Sequence, residues 1–263
     1  MTDFPRRSSL SILFVLGAAS WAPVAHADCL FNSAASGEPS LQVALGQLLD
    51  AAPNVVTGCL AEGTADGGDA HWTSVGQTSA TILLEIAGFA NVNGFGLYDL
   101  ANPDNRLQVF RGPSGPGTRA QLSFHSNGTI TVSYGAHVVS RARFSSDAFG
   151  FYLLTGEGNT LMSDSSLNPG GVDRMYAYRG NGSQFISGPI VNDGDPGNDV
   201  FGAGDAILAY EDLLNGDNDF QDFVLLVRGI QPIPLPAGVW LLGSAFAGLW
   251  LSARRRPAAG LPA

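Results

Sequence analysis

The chain has 263 residues and a formal net charge of −10, with 13 basic residues, all of them Arg, against 23 Asp and Glu. So acidic a balance argues against nucleic acid or anionic lipid as a partner and is compatible with binding cations. Once the targeting segments described below are set aside, about 204 residues remain, enough for one large domain or two small ones.

At the N-terminus, Arg6 and Arg7 precede an apolar stretch from Leu10 to Ala19, and Ala25-His26-Ala27 places small residues at −3 and −1 of a cleavage site. This is the pattern of a secretory signal peptide over residues 1–27, with Asp28 opening the mature chain. No bulky apolar residues follow the Arg pair, so a twin-arginine signal is a poor match. Asp28 also stands where a lipoprotein signal needs a small residue before Cys29. Cys29 and Cys59 are the only cysteines. In an exported protein such a pair reads as a disulfide, two free buried thiols being the alternative. The bridge would close a loop of about 30 residues and stabilise by roughly 3–4 kcal/mol.

One stretch is helical. Ser40 can cap Leu41 to Ala52, with Leu41, Ala44, Leu45, Leu48 and Leu49 on one stripe and Pro53 as the stop. The pattern changes from Thr78 onward to short β-branched or aromatic runs. These are 81–86, 95–98, 107–110, 120–124, 129–134, 149–154, 175–178, 206–210 and 223–227, with Gly, Pro, Asn and Asp between them. Thr129 to Tyr134 alternates most clearly at period two, and Asn127-Gly128 before it is a hairpin signal. Nine such strands predict an all-β antiparallel sandwich or jelly roll. Residues 28–79 are expected as a disulfide-linked helical and loop segment packed on a β-sandwich domain at 80–230.

The densest chemical signal lies at 192–222, where nine carboxylates fall within about thirty residues and no basic residue interrupts them. Carboxylates this close repel, and a hard divalent cation neutralises them at least cost; calcium accepts oxygen ligands with flexible geometry. Two subclusters have workable spacing. Asp193, Asp195 and Asp199 alternate with glycines, and Glu211, Asp212, Asp217, Asp219 and Asp222 lead into a strand. Neither is an EF-hand: counting from Asp193, the sixth position is Asn198 and the twelfth is Gly204. Calcium is the expected cofactor, with solvated acidic loops as the alternative.

The last thirty residues form a three-part tail. Pro232, Pro234, Leu235, Pro236 and Ala237 make a proline-rich signature at 232–238. Residues 237–253 hold no charge and no Asn, Gln, His or Pro, and Arg254, Arg255 and Arg256 follow. The apolar run is about 25 Å long as a helix, at the short end of what spans a bilayer core of about 30 Å. Trp240 and Trp250 lie near its ends, and the arginines place the C-terminus on the cytoplasmic side. Between the two targeting segments, eight Arg and 22 acids remain, a net charge near −14. The tail at 231–263 resembles the PEP-CTERM class of bacterial sorting signals, closest to its VPLPA-type variant. That resemblance implies a Gram-negative envelope, an exosortase-type protease acting near Pro234 to Ala237, a precursor held in the inner membrane, and later display on the cell surface or in an extracellular matrix.

A second resemblance covers roughly 80–230. Tyr210-Glu-Asp-Leu-Leu-Asn-Gly-Asp-Asn-Asp-Phe-Gln-Asp-Phe-Val224 is similar to the C-terminal signature of the domain-of-unknown-function family numbered 4114. Gln221 stands where that family usually has Asn. Phe149 to Leu153, Met162 to Asn168 and Asp173-Arg174 also resemble it, although the family more often has His at the place of Arg174. The resemblance implies a β-rich extracellular domain joined to such a sorting tail, and it carries no established activity.

No Gly-x-Ser-x-Gly, His-Glu-x-x-His or phosphate-binding glycine loop is present. His71, His125 and His137 are the histidines left after signal removal, and His125 with His137 could ligate only if a hairpin register aligned them. Glu85 or Glu157 with an Asp could make a glycosidase pair, but spacing along a chain does not place two carboxyls in space. The expectation is a non-enzymatic, structural or adhesive surface protein of envelope or biofilm, in contact with extracellular polysaccharide. The alternatives are an extracellular carbohydrate-active enzyme and a membrane-anchored periplasmic binding module.

Overall fold

A computed structural model of the chain describes residues 39–49, 59–60, 68–85, 92–186, 199–216 and 218–233. The signal segment, Cys29 and the tail from Pro234 onward lie outside the described residues. Among those described, no helix is long and apolar enough to cross a membrane.

The fold is mostly β and antiparallel, with one short helix. Helix α1 spans Leu41–Leu48, and its first turn is capped by Ser40, whose hydroxyl accepts from the Val43 N–H at 3.4 Å. Strand β1 is Cys59–Leu60 and β2 is Trp72–Glu85. Next come β3 (Gly94–Asp99), β4 (Asn102–Phe110), β5 (Arg119–Phe124), β6 (Thr129–Tyr134), β7 (His137–Arg143), β8 (Ala148–Leu154) and β9 (Thr160–Met162). Two 3₁₀ turns, Ser165–Leu167 and Pro169–Gly171, lead to β10 (Met175–Arg179) and β11 (Gln184–Ile186). Last are β12 (Asp199–Phe201), β13 (Asp205–Tyr210) and β14 (Phe223–Pro232).

Hydrogen bonding runs in the order β1-β10-β13-β14-β2-β5-β6-β7. Strand β2 is long enough to serve two neighbourhoods. Its first residues also pair with β8 (Trp72 with Phe149), and β8 carries β3, which carries β4. The sheet therefore curls on itself through β2. The main core lies inside the curl, where Phe95, Phe149 and Phe151 meet Ile82, Tyr210, Phe223 and Leu225. Phe95 lies at 5.6 Å from Phe151 and at 6.2 Å from Phe110, Tyr210 and Phe223, centroid to centroid. Such ring contacts add to the area term of burial.

Strands β13 and β14 are buried on both faces. Leu208, Leu225 and Val227 face the curl, while Ile207, Val224 and Leu226 face Leu41 and Leu45 of α1 and Phe201 of β12. Covering both faces turns period-two alternation into the continuous apolar runs Ala206–Tyr210 and Phe223–Val227.

All nine expected strands are present. β2 starts nine residues earlier than the apolar run at 81–86, because its first half is polar and is held by pairing with β14 and β8. It also crosses the 79–80 division, so residues 72–79 belong to the sheet. Strand β7 escaped the sequence reading because it is an edge strand with an exposed, charged face.

A β-bulge sits in the middle of this architecture. The β14–β2 register shifts between Arg228 and Ile230, and Gly229 there adopts φ 73°. A Cβ at that position would lie 2.0 Å from the Gln77 carbonyl oxygen. Gly229→Ala is therefore expected to cost about 2–4 kcal/mol, from left-handed strain and overpacking together. Urea unfolding would show this as a lowered midpoint at unchanged slope; an unchanged midpoint would mean that the bulge relaxes freely.

Candidate metal centre

The register of β13 on β14 creates the acidic site. Asp205 pairs with Arg228 and the ladder ends at Tyr210 with Phe223. One step further along the same register, Glu211 falls opposite Asp222. The connection 211–222 leaves and re-enters the sheet at this point. One oxygen from each of Glu211, Asp212 and Asp222 lies within 4.8 Å of the others. Glu211 and Asp212 are 0 and 1% exposed.

Neighbouring groups hold these carboxylates in place. The Asn93 side-chain amide donates through Nδ2 to Asp212 Oδ2 at 2.9 Å, and its Oδ1 accepts from the Gly156 N–H at 3.1 Å. The Asp212 N–H donates to Asp222 Oδ2 at 2.9 Å, and the Leu213 N–H donates to Glu211 Oε1 at 3.4 Å. Buried Gln221 donates to Asp219 Oδ2 at 2.7 Å. The loop between is tightly wound. Asn218 and Phe220 both have φ 58°, a region that Asn tolerates and Phe rarely adopts. The Phe220 ring is held by burial and by Tyr176, 4.4 Å away. Gly216 approaches so closely that a Cβ would stand 1.8 Å from Glu211 Oε1.

Arg174, at the position where the resembled family more often has His, is buried against this loop. Its guanidinium donates to Asn218 Oδ1 at 3.2 Å and to the Leu214 carbonyl. It thus fastens the loop through an amide and a backbone carbonyl.

Three carboxylate oxygens this close repel by about 3 kcal/mol per ionised pair at an effective dielectric of about 20. The Asp222 carboxyl is accordingly pushed up to about 8, by burial first and then by the charges of Asp212, Glu211 and Asp219, against the opposing Asp212 N–H bond. Oxygens on one calcium ion, each about 2.3–2.6 Å from it, can be no more than about 5 Å apart. The observed separation meets that limit. The donors are all hard oxygens with no His or Cys among them, which suits calcium or magnesium and not zinc or copper.

Of the residues read from the sequence, Glu211, Asp212 and Asp222 come together, and Asp219 stands near enough to act on Asp222. Asp193, Asp195 and Asp217 lie outside the described residues, as does the side chain of Asp199. Asp205 turns away to Arg228, 3.8 Å off. Sequence reasoning missed Asn93, which is 119 positions from its partner Asp212. His125 lies at the β5–β6 turn, and His137 opens β7, paired with Tyr134 at the other end of β6, so the two are not brought together. His71 meets Asp164 at 3.1 Å, and Glu157 is exposed with Asn159 as its neighbour. Pro232 ends β14, paired with Trp72, so the last strand runs directly into the proline-rich signature.

No protein-family model, curated protein or solved structure matches this chain.

The raised Asp222 carboxyl has a consequence for pH. The folded state holds this proton more tightly than the unfolded chain, so its stabilising effect is complete at low pH and is lost as pH rises through about 8. Asp99 and Asp164, whose carboxyls are lowered, act oppositely and only in the acid range. In chelator, the melting temperature of the wild type relative to Asp222→Asn is expected to fall between about pH 5 and 8. Parallel curves over that window would show that the cluster does not hold the proton.

Proposed function

We propose that this chain is an exported, surface-sorted structural or adhesive protein of the envelope or biofilm matrix, whose sandwich-like β domain is stabilised by calcium. The observation that carries the calcium reading is the convergence of the Glu211, Asp212 and Asp222 carboxylates within 4.8 Å at the end of the most buried strand pair. Asp219 would add charge beside them. The remaining oxygens of a six- to eight-fold sphere would come from water and backbone carbonyls. Extracellular calcium sites work at about 10⁻⁴–10⁻³ M, the range an exported domain meets.

The targeting part of the proposal rests on the residues at the two ends of the chain. A signal segment at 1–27 would start export, and a disulfide between Cys29 and Cys59 would suit the oxidising compartment. The Pro232 to Ala237 signature, the apolar run 237–253 and Arg254 to Arg256 would hold the precursor in the inner membrane until an exosortase-type protease acts. Sugar hydrolysis is less suited to this cluster, because Glu211 and Asp212 are buried too completely to reach a polysaccharide.

Occupancy at a hundredfold excess over the dissociation constant contributes about 2.7 kcal/mol. Millimolar calcium is therefore expected to raise the melting temperature of the chelator-treated protein by about 5–10 °C, with magnesium doing less. Glu211→Gln and Asp222→Asn should each abolish the shift. Equal melting curves with and without calcium in the wild type would sink the metal assignment.

The sorting proposal has its own readout. Protein recovered from the cell surface is expected to end near Pro234 to Ala237 by mass spectrometry. A mature chain still carrying Arg254-Arg255-Arg256 would make the tail a plain anchor.

A further inference from the structure

The net charge near −14 conceals a segregation. Residues 100–146 contain Arg106, Arg111, Arg119, Arg141 and Arg143 and a single acid, Asp104. All five arginines are exposed. This basic stretch forms β4 to β7.

The curl closes there without a ladder. Among the described residues β4 forms a backbone ladder only with β3, and β7 only with β6. The two edges are stitched by side chains. Asn105 Nδ2 donates to the Arg143 carbonyl at 2.8 Å, Ser140 Oγ donates to the Gln108 carbonyl at 2.7 Å, and the Tyr134 hydroxyl donates to the Val109 carbonyl. A seam held this way leaves space between its stitches. A cavity of about 420 Å³ opens beside it, lined by Arg111, Ser114, Tyr134, Val139 and Ser140 together with β4. That volume falls within the range of about 300–1,000 Å³ usual for small-ligand sites.

The lining has a defined chemistry. Among the described residues no carboxylate lines the cavity, and none of their ion pairs engages Arg111. Its guanidinium presents a planar fork suited to a carboxylate. The Ser114 hydroxyl and the Arg111 charge both act on the Tyr134 hydroxyl, so the three polar groups converge. The hydroxyls that donate to backbone carbonyls retain lone pairs for a ligand hydroxyl. Val139, 47% exposed, adds an apolar ledge. On β7, beyond a register shift at Val139, Arg141 and Arg143 are two residues apart and share one exposed face.

We propose that the β4–β7 seam is a binding groove for an acidic polysaccharide. Arg111 would hold the carboxylate of one uronic acid unit. Ser114 and Tyr134 would meet its hydroxyls, and Arg141 and Arg143 would follow the charges of neighbouring units. This deepens the adhesive reading above and rests on it for the extracellular setting, while being independent of the calcium cluster.

The experiment is calorimetric titration of the full-length protein, in chelator, with a tetrasaccharide of galacturonic acid, its fully methyl-esterified neutral form, and a short duplex DNA. The uronate tetrasaccharide is expected to bind, with the ester at least about tenfold weaker. Affinity should fall with salt, as it must for charge recognition between exposed groups. Arg111→Ala should weaken uronate binding by about tenfold at an unchanged melting temperature, and Arg111→Lys should fall between. Four results would each overturn the proposal: no uronate binding, equal binding of acid and ester, DNA binding as tightly as the uronate, or wild-type affinity in Arg111→Ala. If uronate binding is absent while calcium still raises the melting temperature, the seam assignment falls and the calcium assignment stands. The reverse pattern separates them the other way.

Discussion

The antiparallel pairing of β13 with β14 is the constraint on which the rest of the molecule depends. These strands are covered by the aromatic core on one side and by α1 and β12 on the other. Because both faces are buried, a slip of one residue would put neither face in solvent, so alternation alone does not define the register. What defines it is shape and charge at the ends of the ladder. Tyr210 packs in a T-shaped contact and Phe223 in a tilted one against Phe95 at one end, and Asp205 meets Arg228 at the other. Once that register is set, Glu211 and Asp222 must face each other. The carboxylate cluster is thus a geometric result of core packing, and the loop 213–221 has only to close over it.

Much of the fold was legible in the sequence where a strand carries its own signal. Thr129–Tyr134 alternates because one face is buried, and its observed limits are those read from the sequence. Leu41, Leu45 and Leu49 repeat at helical spacing and are buried in the structure. Legibility failed where a strand is specified by its partner. The first half of β2 is polar and takes its conformation from β14 and β8, and β7 is an exposed edge held by β6. Neither carries enough apolar surface for a local pattern to show.

The candidate site divides in the same way. Residue types and spacing along 211–222 point to hard-cation chemistry, and three of those carboxylates do converge. The sequence does not show that Asp205 belongs to Arg228, because that choice follows from the strand register. Nor does it show Asn93, whose link to Asp212 exists only after the start of β3 and the end of β13 have been brought together through the core. Arg174 is an instructive departure. Reading it as a missing ligand would empty the site, whereas its guanidinium is engaged by Asn218 and the Leu214 carbonyl and supports the loop from behind.

The two charge groups also differ in what they demand of the fold. Exposed arginines along β4 to β7 cost little to maintain, since water solvates them and salt screens them. Buried carboxylates are different. Taking a charge out of water costs several kcal/mol even after relaxation, and like charges nearby add to that cost. A stable protein keeps such a group only if the charge is cancelled. Around Asp222 two cancelling partners are chemically available, a proton or a cation. The shift of its carboxyl to about 8 is the proton solution to that problem. In the proposed reading, calcium supplies the other solution in the compartment where it is plentiful. The buried cluster then links the stability of the core strands to the ionic conditions outside the cell, while the exposed arginines of the seam are left free for recognition.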